Sequence, residues 1–127
     1  MSFNWAEYLS VAETQCGMLV SGPPAGTEAH QRSGVSRAYY AGYVSARNWL
    51  RDVDGVPIPA KVNPHKFVAD QYVNDPDLLR TQIGIELNRL RIARNRCDYD
   101  DVVKQLPRLT RRSLARAEQI LADLGRL

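Results

Sequence analysis

The sequence is poor in the residues that build metal centres and redox sites. It holds two cysteines, Cys16 and Cys97, and two histidines, His30 and His65, all widely separated. A zinc site takes about four ligands at short paired spacings, so neither a metal nor a cofactor is expected. Both cysteines fall at apolar helical positions and read as free, buried thiols, which suits a reducing compartment. No run approaches the ~18 apolar residues of a membrane span. Residues 1–7 lack the basic and apolar regions of a signal peptide. A cytoplasmic protein without membrane association is therefore expected. Sustained period-two alternation is missing too, so no strand is expected, and no internal repeat is visible.

What remains is an ordinary globular composition on 127 residues, with 44% hydrophobic and 24% charged side chains, which fits one domain spanning 1–127. The formal net charge of +3 is mild but uneven. From Val102 to Ala117 there are five basic residues, Lys104, Arg108, Arg111, Arg112 and Arg116, and no acid. Arg89, Arg91, Arg94 and Arg96 crowd the segment before it. Such a field attracts phosphates, although a charge run also serves as a solvated helix face.

Apolar periodicity predicts five helices. The first runs from about Asn4 to Ser21, with Trp5, Tyr8, Leu9, Ala12, Cys16, Leu19 and Val20 on one stripe. Asn4 and Glu7 have the spacing of a capping box, and Gly22-Pro23-Pro24 ends the helix. The second spans about Glu28 to Arg51, turning Val35, Tyr39, Tyr43, Ala46, Trp49 and Leu50 inward. Asn63-Pro64 and Asp75-Pro76 each place a capping side chain before a proline at the first helical position. They open a third helix to Val73 and a fourth to about Cys97. The last lies between about Pro107 and Leu124. An all-α antiparallel bundle of four to five helices is the expected architecture.

One residue breaks the pattern. The inward positions of the fourth helix read Leu79, Ile83, Leu87, Leu90, Arg94, Cys97. A guanidinium there is costly unless paired. Asp98 follows at i+4, with Tyr99, Asp100 and Asp101 beyond it. Either an ion pair ties this helix to the second, with Arg37 taking part, or this end of the stripe faces a cleft or a second subunit.

Three boxes then fall in order. Ser36-Arg37-Ala38-Tyr39-Tyr40-Ala41 resembles the SRAYYA box of HEPN domains. His65-Lys66 is similar to the short HK element that follows a variable loop in that family. The stretch Arg94-Asn95-Arg96-Cys97-Asp98-Tyr99-Asp100 resembles the R-x-x-A-D-Y-D ending of one branch, with Cys97 in place of Ala. The resemblance covers about Tyr8 to Leu124. It implies a helical bundle that forms a homodimer, with Arg94 near the two-fold axis. Many members are metal-independent ribonucleases, often toxins beside a nucleotidyltransferase-type partner protein, with the signature R-x4-6-H. In them arginine steadies the scissile phosphate and histidine moves the 2′-hydroxyl proton.

Arg94-Asn95 satisfies the first half of that signature and nothing satisfies the second. Tyr99, Asp100 and Asp101 stand where the histidine belongs, and no arginine precedes His30 or His65 at the required distance. A phenol of ordinary pKa ≈ 10 is a poor base at pH 7. The leading expectation is a dimeric binding module for a partner protein, a nucleotide or RNA, in a toxin–antitoxin or defence setting. Its binding residues are Arg37, His65, Asp98, Arg108, Arg111, Arg112 and Arg116. The alternative is a ribonuclease toxin with a non-standard site of Arg94, Asn95 and Tyr99, positioned by Asp98. Tyr39, Tyr40 and Tyr43 read as core residues with satisfied hydroxyls, or else as platforms on which bases stack.

Overall fold

The computed structural model describes residues 3–17 and 24–127, with the backbone alone for residues 15, 17 and 24–27. Within them the chain forms α1 (Glu7–Gly17), α2 (Pro24–Asp52), α3 (Pro64–Val73), α4 (Leu78–Tyr99) and α5 (Leu106–Leu124), and no strand. The protein is an all-helical bundle.

The long helix α2 is its centre, packing against each of the other four helices. It can do so because small and apolar residues alternate around it. Val35, Ala38, Tyr39, Ala41, Tyr43, Val44, Ala46 and Leu50 are all buried. The core they build with Val68, Tyr72, Ile83, Leu87, Leu90, Ala117 and Ile120 spans α2 to α5. Truncating one of these large residues to alanine typically costs about 2–5 kcal/mol. A smaller cluster of Val35, Ala93, Cys97 and Leu106 seals the C-terminal end of α4 against α2 and α5. Cys97 is buried and Cys16 half-buried, both as free thiols.

Helix ends follow local chemistry. Asn63 caps α3 as its sequence predicts: its Oδ1 accepts from the backbone N–H groups of His65 (3.0 Å) and Lys66 (3.4 Å), with Pro64 in the first turn. The fourth helix starts two residues later than expected. Asp75 Oδ1 instead accepts from the Asp77 N–H at 2.9 Å, an Asx turn that leaves Pro76 outside the helix. Asp77 is the cap, accepting from the Leu79 N–H at 3.1 Å. At α1, Asn4 Oδ1 accepts from the Ala6 N–H at 3.1 Å, and a tight turn precedes the helix, which begins at Glu7. Pro24 opens α2; Gly22 and Pro23, expected with it to end the first helix, lie outside the described residues. The expected inward Leu19 and Val20, and the Ser21 end of the first helix, lie outside the described residues.

α3 and α4 cross closely at Gly84. A Cβ there would meet the Val73 backbone nitrogen and Cγ2 at 2.6 Å and the Ala69 carbonyl oxygen at 2.9 Å. This crossing sets His65, in the first turn of α3, beside the last turns of α4.

Candidate functional site

Arg94 is both paired and at a cleft. Its side chain is 17% exposed and its Nε stands 2.9 Å from Asp98 Oδ2, an ion pair within α4. Nη1 donates to Asn95 Oδ1 at 3.0 Å and Nη2 to the Tyr40 hydroxyl at 2.9 Å. The link to the second helix is thus the phenol of Tyr40 and not an ion pair with Arg37. Arg37 is exposed, and its guanidinium lies over the Tyr8 ring at 5.4 Å. The Arg94 Cζ also lies 5.3 Å from the Tyr40 ring centroid, 5.8 Å from Tyr39 and 5.9 Å from Tyr99. A guanidinium has five N–H donors. With one each of Nη1 and Nη2 engaged, one further donor on each is left for a ligand.

Arg94, Asn95 and Tyr99 line a cleft of about 570 Å³ with His65, Arg91 and Arg96. Tyr99 is 73% exposed. The histidine that the sequence of α4 lacks is therefore supplied to this cleft by α3. His65 Nδ1 lies 2.6 Å from the Tyr39 hydroxyl, and its ring stacks on Tyr43 with centroids 4.3 Å apart. Tyr39 is buried, and burial pushes its phenol pKa further up, so the hydroxyl keeps its proton. The hydroxyl and Nδ1 share one hydrogen bond, and the tautomer of His65 decides which of them donates. Burial, then the charges of Arg94 and Arg91, hold its pKa below the usual imidazole range. The ring is neutral at pH 7.

Arg91 is the residue that sequence reasoning passed over. It sits one turn before Arg94, its Nη1 is shut off from water with no hydrogen-bond partner, and no carboxylate pairs with it among the described residues. In the sequence it is one arginine of four with nothing to mark it. Arg32 was also missed. Reaching across from α2, its Nη1 donates to the carbonyls of Cys97 (3.0 Å) and Asp100 (2.6 Å) and its Nη2 to that of Asp101 (3.0 Å). A cation on the last carbonyls of a helix satisfies orphan acceptors and complements the dipole. Arg32 thereby clamps the end of α4 from which Tyr99 projects.

The basic residues of α5 divide. Arg108, Arg112 and Arg116 join Lys104 and Arg96 around a groove of about 140 Å³, while Arg111 is exposed and does not line it. Arg116 is already paired, its Nε 3.0 Å from Glu86 Oε2. Glu86 is buried and also accepts from Arg89 Nη1 at 2.8 Å. Arg96 borders both groove and cleft and so joins their basic residues, while the carboxylate of Asp100 also lines the cleft. Among the described residues no cluster of side chains has the make-up of a metal site, and no helix is long and apolar enough to cross a membrane.

No family model, no curated protein and no solved structure matches the chain.

Proposed function

We propose that the protein is a HEPN-like, homodimeric module that binds a phosphate-bearing ligand, RNA or a nucleotide, in the cleft of Arg91, Arg94 and His65. Arg94 carries the reading. Its guanidinium lines the cleft with one N–H on each of Nη1 and Nη2 left for an anion, and Arg91, Arg96 and His65 line the same cleft. The resemblance to HEPN domains adds the dimer and a nucleotidyltransferase-type partner as expectations.

Binding, not turnover, is the outcome this chemistry favours. Removing the 2′-hydroxyl proton takes a lone pair, and general base catalysis contributes roughly 10²–10⁴-fold. His65 Nδ1 is engaged with the Tyr39 hydroxyl, and α4 offers no histidine of its own. Metal-independent ribonuclease activity is the second reading, favoured by one observation, that His65 lines the cleft of Arg94.

Anisotropy of a labelled single-stranded RNA tests the first reading. Arg91→Ala should weaken binding about 10- to 150-fold, the worth of a charged hydrogen bond, and lower the salt slope by about one. Its melting temperature should stay close to that of the wild type, because among the described residues no carboxylate loses a partner. Unchanged affinity would overturn the reading. Incubation of the RNA with protein in EDTA should leave it intact. Rapid cleavage that Arg94→Ala loses would put the ribonuclease first.

A further inference from the structure

A second pocket lies against the cleft. It measures about 450 Å³ and is lined by Trp5, Tyr8, Tyr40, Tyr43, Arg47 and His65. We propose that this pocket receives the base of a nucleotide whose phosphate occupies the Arg94 cleft, a proposal that rests on the phosphate-binding reading of that cleft.

The lining residues carry the argument. Trp5, Tyr8 and Tyr40 are only half-buried, so each keeps ring surface that the core does not use. Phe3 packs edge to face with Trp5 (centroids 5.0 Å, 83°) and Trp5 with Tyr8 (5.2 Å, 85°), an aromatic wall against which a planar ligand can pack. Among the described residues no carboxylate lines the pocket, and its one charged residue is Arg47. An aromatic cage of that sign repels the quaternary ammonium groups that such cages otherwise attract. It favours a neutral, planar ring bearing carbonyl acceptors. Among the described residues the Arg47 guanidinium bonds only its neighbour Asn48 Oδ1, through Nε (3.2 Å) and Nη2 (3.0 Å), leaving Nη1 to donate. Nucleobases combine a π-face for stacking with acceptors for such a donor.

The two sites are joined in the way a nucleotide is. His65 lines both. Tyr40 has its ring in the aromatic pocket and its hydroxyl on Arg94 Nη2, and that guanidinium lies 5.3 Å from the ring centroid. A base against Tyr40 is therefore about one nucleoside's reach from the arginine. Neither the spacing of the HEPN-like boxes nor helical periodicity marks this pocket. It arises because the turn before α1, together with α2 and α3, brings Trp5, Tyr40 and His65 to one place.

The test compares four probes on the protein with Trp49→Phe, in which Trp5 is the one tryptophan left. They are a mixed-sequence single-stranded pentaribonucleotide, its abasic counterpart, the four nucleoside monophosphates, and inorganic pyrophosphate. Base-bearing probes should quench Trp5 emission. The abasic strand should bind about 5- to 150-fold more weakly than the pentamer, the worth of one stacked base, and leave Trp5 emission unchanged. Trp5→Leu should weaken the pentamer and spare pyrophosphate, with thermal melting as the check on folding. Quenching by the monophosphates would make the ligand a free nucleotide, and quenching by the strand alone would make it RNA; either supports the proposal. Equal affinity of the pentamer and its abasic counterpart without quenching would overturn the base site and leave the phosphate cleft standing. Failure of all four to bind would overturn both. Trp5 emission that changes with protein concentration alone would mean a second copy of the chain covers the pocket, and would overturn the base site.

Discussion

His65 is governed by its neighbours on every side. Burial disfavours the imidazolium first, and the charges of Arg94 and Arg91 disfavour it further, so its folded pKa lies below the ~6.5 of an unfolded chain. Between those two values the unfolded state binds more protons, and stability rises with pH. The contribution is complete above about pH 6.5 and is lost as pH falls through the folded pKa. Protonation makes both ring nitrogens donors, so the Tyr39 hydroxyl, 2.6 Å from Nδ1, then serves the ring only as an acceptor. The melting temperature should therefore decline below pH ~6.5, and His65→Gln should flatten that decline. An unchanged slope in the variant would assign the pH dependence to other groups.

Elements are placed here by contacts that range from visible to hidden in the sequence. Asn63-Pro64 was legible because cap and proline act within four residues, and α3 begins where they dictate. Asp75-Pro76 misled because a second aspartate, Asp77, lies two residues on and an Asx turn shifts the cap to it. Arg94 stood out because a charge interrupted an apolar stripe. Arg91 did not, since an arginine off the stripe looks solvated until its Nη1 is found buried. Arg32 bonds carbonyls 65 to 69 residues away, which no local pattern encodes. Trp5 and Tyr8 were legible as an apolar stripe, yet the pocket they line is closed by residues of α3 and depends on where that helix lies. That position turns on Gly84. Alanine there would gain about 1 kcal/mol of helix propensity, but its Cβ would press on the backbone of α3, and overpacking costs about 1–3 kcal/mol. Gly84→Ala should come out destabilised by up to about 2 kcal/mol in urea unfolding and weaken RNA binding as α3 shifts. A stabilised variant would show that the crossing can open at no cost.

At the scale of the whole molecule, the outer face of α4 is the surface to watch. Ile92 is 60% exposed and Tyr99 73%, two turns apart on one side of the helix, with Asn95 and Arg96 between them along the chain. Apolar side chains left out on a helix that ends in a cleft suit an interface with a second copy. Light scattering during gel filtration at micromolar concentration should give about twice the 14.3 kDa chain mass, and Ile92→Glu should return the protein to monomer without unfolding it. A wild-type monomer at all concentrations would remove the dimer from the proposed function. Whatever meets that face meets a wall already in place. Because Arg32 fixes three backbone carbonyls at the end of α4, the segment bearing Tyr99 and Asp100 has little conformational entropy left to lose when a ligand arrives. Association with a rigid wall is limited by encounter and desolvation rather than by folding of the site, so a side chain on α2 that lines no part of the cleft sets how much of the contact energy survives as affinity.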